Sequence, residues 1–252
     1  MKKLLFLLLI IANSIAAQNI DSLFVAANEL YRNGDFENAI EKYKEIASQD
    51  AVSSELYFNL GNAYYKLNKV GPTIFYYEKA LKLDPTNTDV KNNLVFAKRL
   101  ALDNIEEVPK TVFQKLNTNY LQKLTYNEWA IVVVVFSFLA SLLFLLFYFA
   151  YSPSLKRTYF TLSMISFILL FFTIFITYNQ YNQTINNKEA IVYAEKTEVR
   201  NAPTLNSEKV FTLHEGTKVI VLDAIDNWKK IKIADGKLGW IIADEIKLLS
   251  DF

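Results

Sequence analysis

WAIVVVVFSFLASLLFLLFYFAY, residues Trp129–Tyr151, is the stretch from which the rest of the chain can be placed. It holds no charged residue, and neither does TYFTLSMISFILLFFTIFITY, Thr158–Tyr178, which follows the short linker SPSLKR. Each run has the roughly 20 residues a helix needs to cross a hydrocarbon core. In lipid every backbone polar group must be satisfied within the segment, so each run is expected to be a transmembrane helix, over 129–151 and 158–178. The linker is too short for a domain, so the two helices make an antiparallel hairpin and the flanking segments share one side of the membrane. Ser137, Ser141, Ser163, Ser166 and Thr173 are the polar residues inside the spans, where small hydroxyl side chains help helices pack. No Asp, Glu, Lys, Arg or His lies in either span, which disfavours a transporter or channel.

The first residues indicate the side. MKKLLFLLLIIANSIAAQ has a basic tip at Lys2 and Lys3, an apolar run from Leu4 to Ala12, and small residues at Ser14, Ala16 and Ala17. That layout predicts a signal peptide over 1–17, with cleavage after Ala17 or Ala16. The absence of Cys excludes lipoprotein processing. The segments flanking the hairpin are then extracytoplasmic, and the linker with Lys156 and Arg157 is cytoplasmic, in keeping with the positive-inside rule. Trp129, Tyr148, Tyr151, Tyr159 and Tyr178 stand near the span ends, where amphipathic rings favour the interface.

Composition narrows the function. Lys and Arg number 27 against 26 Asp and Glu, for a net charge of +1, and no basic stripe points to nucleic acid. Without Cys there is no disulfide framework, thiolate metal site or cysteine nucleophile. A single His, His214, leaves little general-base or metal chemistry. No catalytic residue, metal or cofactor is expected, and an enzyme would have to work with Asp and Glu alone.

Before the spans the chain repeats itself. Ile20–Ser53 and Ser54–Asn87 align end to end without gaps, pairing Ala26/Leu60, Ala27/Gly61, Leu30/Tyr64, Tyr43/Tyr77, Ile46/Ala80 and Ala47/Leu81. Small residues at Ala27 and Gly61 let two helices approach, and the rings of Tyr43 and Tyr77 fill the space one turn away. Pro85 ends the second unit. LGNAYYKLN with YYEKALKLDP resembles the tetratricopeptide repeat, a helix-turn-helix of roughly 34 residues. NGDFENAI in copy one keeps the turn. Asn68 in place of Gly34, Thr73 in place of Ala39, and Ala51 in place of Pro85 depart from the pattern. The repeat domain is expected over 20–102, as 20–53, 54–87 and a closing helix at 89–102 that covers the exposed face of a short array. The resemblance implies peptide or protein binding on the concave face built from each first helix. The matched pairs there are Phe24/Phe58, Asn28/Asn62, Tyr31/Tyr65 and Arg32/Lys66, offering stacking area, amides for an extended backbone and cations for carboxylates. The competing reading makes Tyr31 and Tyr65 packing aromatics, and Arg32 and Lys66 a solvated edge. The family's clamp for a terminal carboxylate is not expected, because Phe24 and Asp89 stand where basic residues would.

Residues 103–128 form a connector. Phe113, Leu116, Tyr120 and Leu124 recur at helical spacing and predict an amphipathic helix along the membrane or under the repeat domain. Thr125 and Glu128 have capping-box spacing and would start the first span.

After NQYNQTINN the period falls to 2, and 188–248 reads as five or six short strands cut by Gly, Asp and Asn turns. A domain of this size implies a small barrel, since closure removes strand edges. Val199-Arg200-Asn201 with Pro203, Glu215-Gly216-Thr217, Trp228-Lys229-Lys230-Ile231, and Asp235-Gly236 followed by Gly239-Trp240 together resemble a bacterial SH3-like domain. Trp228 and Trp240 read as barrel packing, with a ligand-binding surface as the second reading. His214 reads as an exposed loop residue with no Asp or Cys partner. The resemblance implies cell-wall peptide or protein binding.

The chain is thus expected to be a multidomain membrane protein, with an all-α tetratricopeptide repeat domain, a transmembrane helical hairpin and a small all-β SH3-like barrel. That order is similar to the BatE-like family of the Bacteroidetes aerotolerance operon. The resemblance implies an inner-membrane scaffold for envelope stress, whose partners include membrane proteins with von Willebrand A domains, another repeat protein and a MoxR-type ATPase. The function expected is a non-enzymatic adaptor with two extracytoplasmic binding domains. The alternative is a peptidoglycan sensor that uses the SH3-like domain.

Overall fold

The computed structural model describes residues 20–106 and 108–249, so the signal peptide expected over 1–17 lies outside the described residues. The chain divides into two compact units, one running to Val108 and resuming at Lys188, the other Pro109–Asn187.

Among the described residues the first unit opens with five helices: α1 (20–32), α2 (Phe36–Ala47), α3 (Ser54–Lys66), α4 (Val70–Leu83) and α5 (Thr88–Lys98). Local chemistry sets their ends. Ser53 accepts from the Leu56 amide at 3.0 Å, and Asn87 from the Val90 amide at 3.1 Å, each capping the helix that follows. Gly34 turns the chain between α1 and α2 at φ +82°, and Asn68 does the same between α3 and α4 at φ +54°. Asn is one of the few residues with a side chain that tolerates this left-handed region, so the departure from Gly at this position costs little. Ala27, Tyr43, Leu60 and Tyr77 are each at most 1 % exposed. A Cβ at Gly61 would run into the Tyr77 ring. We expect Gly61→Val to lower stability by about 1–3 kcal/mol, because the extra methyl groups overpack this contact. Denaturant unfolding of the full chain in micelles checks this.

The β-domain has seven strands rather than five or six: β1 (Lys188–Val192), β2 (Lys196–Arg200), β3 (Lys209–His214), β4 (Lys218–Ile225), β5 (Trp228–Lys232), β6 (Leu238–Ile242) and β7 (Ile246–Leu248). They form one sheet in the order β3-β2-β6-β5-β4-β1-β7, antiparallel throughout. Two landmark motifs now have physical roles. The Arg200 guanidinium donates at 2.7 Å to the carbonyls of Leu205 and Ser207 and so holds the loop between β2 and β3. Gly239 lets β6 pass β2, since a Cβ there would strike the Val199 side chain.

Repeat helices and β-domain share one core. Ile191 and Leu249 are fully buried in the same cluster as Ile74, Phe75, Val90 and Leu94, with Tyr193 and Ala101 packed against it. The Phe75 and Tyr193 rings meet edge to face at 5.4 Å. Helix α4 has no side-chain cap of its own, and the β-domain supplies one: Glu215 Oε2 accepts from the Gly71 amide, in the first turn, at 3.0 Å. That carboxylate meets both an orphan N–H and the positive end of the helix dipole. Glu78 on α4 is paired with Lys98 on α5 at 3.0 Å and with Lys218 on β4 at 2.9 Å, and Lys218 also reaches Glu189 at 2.9 Å. Burial alone would raise the Glu78 pKa, but the charges and hydrogen bonds of Lys218 and Lys98 outweigh it and bring it down to about 2.

This packing revises two expectations. His214 is not a free loop residue. It ends β3 with Nδ1 at 2.7 Å from Asp103 Oδ1, while its amide and the Thr217 hydroxyl donate to Asp103 Oδ2 at 2.7 and 2.6 Å. The connector does not begin at residue 103 either. Ile105 packs against the β-domain core, and the Val108 amide donates to the Ala234 carbonyl at 3.2 Å. One carboxylate that satisfies three groups of the β3–β4 turn holds this strip of chain, and sequence periodicity gives no sign of it.

The second unit contains α6 (Val112–Asn119), a short 3₁₀ turn (Leu121–Lys123), α7 (Tyr126–Phe149) and α8 (Pro153–Asn186). The capping box forms at Thr125 and Glu128 and starts α7. Helices α7 and α8 are long and apolar enough to cross a membrane. Only 6 % and 17 % of their apolar windows is buried within the protein, which leaves most of that surface needing a nonaqueous partner. They pack along a seam of small and polar residues, with the Ser163 hydroxyl donating to the Ala140 carbonyl at 3.2 Å and Ser166, Thr173 and Ile176 buried. Helix α8 starts within the expected linker, at Pro153, and runs past the expected end to include the polar segment after Tyr178. Nothing in that segment breaks a helix: it contains neither Pro nor Gly.

Candidate functional site

The repeat places two copies of one hydrogen-bonded set on successive helices. In the first, the Tyr43 hydroxyl donates to Asn28 Oδ1 at 2.6 Å and Asn59 Nδ2 donates to the same oxygen at 3.2 Å. In the second, the Tyr77 hydroxyl donates to Asn62 Oδ1 at 2.7 Å and Asn93 Nδ2 joins it at 3.0 Å. Asn28/Asn62, Tyr43/Tyr77 and Asn59/Asn93 each stand one repeat length apart. Helices α1, α3 and α5 supply the amides, and α2 and α4 supply the tyrosines.

An amide oxygen has two lone pairs, and in both sets both are used. The amide NH2 of Asn28 and Asn62 is what remains, and among the described residues neither has a partner. The bonds also fix the side-chain orientation. Burial pushes the Tyr43 pKa up to about 12, with the charges of Tyr31 and Glu55 adding to it, so its hydroxyl stays a donor at any physiological pH. Burial raises Tyr77 as well.

Beside the first set lies an open cleft of about 410 Å³ lined by Val25, Asn28, Tyr31, Arg32, Tyr43, Glu55 and Asn59. Val25 is 61 % exposed, Arg32 is exposed and Tyr31 is half-buried, its ring edge-on to Phe36 at 5.3 Å. The cleft therefore offers an apolar patch, an aromatic face, an amide donor, one cation and one carboxylate.

Of the eight residues expected in the groove, Asn28, Tyr31 and Arg32 line the cleft. Phe24 and Phe58 are half-buried and pack on Tyr43 and Tyr77, with ring centroids 6.0 and 5.9 Å apart. Asn62 repeats the Asn28 arrangement, Lys66 is exposed, and Tyr65 lines a narrow crevice with Ala97 and Leu100. Tyr31 and Tyr65 both pack against the core, so the packing reading describes part of each ring.

Sequence reasoning missed Asn59, Asn93 and Glu55. Asn59 and Asn93 stand 34 residues apart, the spacing of the repeat, with Asn93 on the closing helix α5. In the β-domain, Trp240 is 8 % exposed, between Lys230 on β5 and Arg200 on β2. Its burial is in keeping with barrel packing, the first of its two readings. Trp228 is half-buried and pairs with Ile225 and Ile242.

Comparison with protein families agrees with this division. A tetratricopeptide repeat matches 54–87, a TPR repeat matches 27–68, and a bacterial SH3 domain matches 195–247. No curated protein matches the chain significantly. The chain carries tetratricopeptide repeats and a bacterial SH3 domain, both of families that serve as interaction modules.

Proposed function

We propose that the chain is a non-enzymatic, membrane-anchored adaptor that holds an extended segment of a partner protein on its repeat helices. The observation that carries this is the pair of oriented, unspent amide donors at Asn28 and Asn62, one repeat apart, beside the cleft of Tyr31 and Arg32. An extended chain presents carbonyls at regular spacing, which two fixed donors can meet, while Arg32 and Lys66 favour acidic side chains in the segment. The similarity in domain order to the BatE-like family supports an inner-membrane location with both folded domains periplasmic, and Lys156 and Arg157 favour a cytoplasmic turn between the spans. It also supports partners among membrane proteins with von Willebrand A domains and a role in aerotolerance or envelope stress.

Asn28→Asp with Asn62→Asp tests the reading. A carboxylate still accepts from Tyr43, Asn59, Tyr77 and Asn93 but donates nothing outward. Co-purification of partners from native membranes should fall at least about tenfold, with little change in thermal unfolding of the full chain. Undiminished partner recovery would sink the proposal. Peptidoglycan binding by the β-domain is the second reading, favoured by the bacterial SH3 match over 195–247. It requires the full chain in micelles to sediment with purified peptidoglycan.

A further inference from the structure

Helix α6 is short, and one side of it is strongly apolar. Val112, Phe113, Leu116 and Tyr120 are 73 %, 83 %, 49 % and 65 % exposed. At roughly 100° per residue these four fall within an arc of about 100°, the width of a helix face that ordinarily packs against something. The flank of this face and the turn that follows it are tied to the span hairpin. Asn117 Nδ2 donates to Gln183 Oε1 on α8 at 3.3 Å, and Gln122 Nε2 donates to the same oxygen at 3.4 Å. The Trp129 indole N–H donates to the Leu121 carbonyl at 2.9 Å, and the Tyr126 and Tyr181 rings meet edge to face at 5.8 Å.

These ties give α6 a height. The apolar run of α8 ends at Tyr178, and Gln183 lies a little over one turn further along the same helix. At about 1.5 Å per residue that is roughly 8 Å above the end of the run. The headgroup layer on each side of a bilayer is about 5–8 Å thick. The exposed face of α6 therefore stands at the level of the lipid headgroups, with Trp129 and Tyr126 beside it. Lys115 lies outside the apolar arc, and the Lys123 ammonium lies over the Tyr120 ring at 5.7 Å, which sets two cations beside the apolar face, as lipid phosphates would require.

We propose that α6 is an interfacial helix whose occupant is the lipid surface, with Val112, Phe113, Leu116 and Tyr120 reaching through the headgroup layer toward the acyl chains. It fixes the height at which the hairpin sits in the bilayer. The proposal rests on the two-span reading of α7 and α8, and its test separates the two.

The chain has no Cys, so one engineered cysteine gives one spin label. Phe113→Cys, Thr118→Cys and Phe138→Cys are made in the full chain and reconstituted in phosphatidylethanolamine–phosphatidylglycerol vesicles. Collision rates with oxygen and with a water-soluble nickel chelate are then measured. The expected result is a label at position 113 that favours oxygen, a label at 118 that favours nickel, and a label at 138 deepest of all. If 138 is deep but 113 meets nickel as readily as 118, the interfacial helix is wrong and the spans stand. A label at 113 shielded from both reagents would mean that protein covers the face, which also overturns the proposal. If 138 meets nickel, the span reading fails and takes the proposal with it.

Discussion

Gly216→Val should cost the folded unit about 3–5 kcal/mol and uncouple the unfolding of the β-domain from that of the repeat helices. Two costs add at this residue. Its φ is +88°, a region that a β-branched side chain enters only under strain. Its Cβ would also lie 2.8 Å from Ile74 Cδ1 and 3.2 Å from Val70 Cγ1, so the β3–β4 turn could no longer seat on α4. Gly236→Val isolates the first cost, since Gly236 has φ +93° and nothing within 4 Å of the added atom. That control should lose only about 1–3 kcal/mol and keep a single cooperative transition. Denaturant unfolding of each variant in micelles, with Trp129 replaced by Phe so that fluorescence reports Trp228 and Trp240 and with far-ultraviolet dichroism beside it, reads both quantities.

Glu78→Ala should cost about 2–3 kcal/mol, because Lys98 and Lys218 lose their common carboxylate while Lys218 keeps Glu189 and half of Lys98 stays in solvent. The pH dependence has a definite sign. The folded-state pKa of about 2 lies below the ordinary value of 4.5, so the unfolded chain takes up the proton first as pH falls. Stability from this group is complete above about pH 4.5 and is lost as pH falls toward 2, a loss of about 3 kcal/mol at roughly 1.4 kcal/mol per unit. Asp103 works in the same direction: its burial is outweighed by hydrogen bonds from Thr217 and His214, which lower its pKa. Comparing wild type with Glu78→Gln across this window separates the Glu78 share, because the variant has no carboxylate to protonate there. Parallel stability curves for the two proteins would show that Glu78 is not held by its lysines.

The architecture could be read from the sequence where a residue's role is local or periodic. The two long apolar helices come from the absence of charge over Trp129–Tyr151 and Thr158–Tyr178, the α7 start from Thr125 and Glu128, and the repeat from a fixed spacing that returns Ala27 as Gly61 and Tyr43 as Tyr77. The equivalence of Asn28 and Asn62 was legible for the same reason. The union of repeat and β-domain into one body was not legible. It depends on contacts between segments far apart in the chain, such as Gly71 with Glu215, Asp103 with His214 and Glu78 with Lys218. None of these leaves a pattern along the chain. Asp103 and Glu78 look in sequence like ordinary surface acids, and only the fold makes one a clasp and the other a buried pivot. The match of Asn93 to Asn59 was harder to see, because the two gapless copies end at Asn87 and α5 stands beyond them. The β-domain packs on α4, next to α5, without repeating anything in the sequence.

The adaptor role meets its most direct test in a photocrosslinking experiment on native membranes. A photoreactive residue replaces Tyr31 in one variant and Tyr65 in another, and crosslinked peptides are mapped by mass spectrometry. The expected result is that both positions capture the same partner protein, at two sites on one continuous and extended stretch of its sequence, and that Asn28→Asp with Asn62→Asp abolishes both. Capture of cell-wall material alone, or of unrelated proteins at the two positions with no effect of the asparagine substitutions, would contradict a peptide-holding groove.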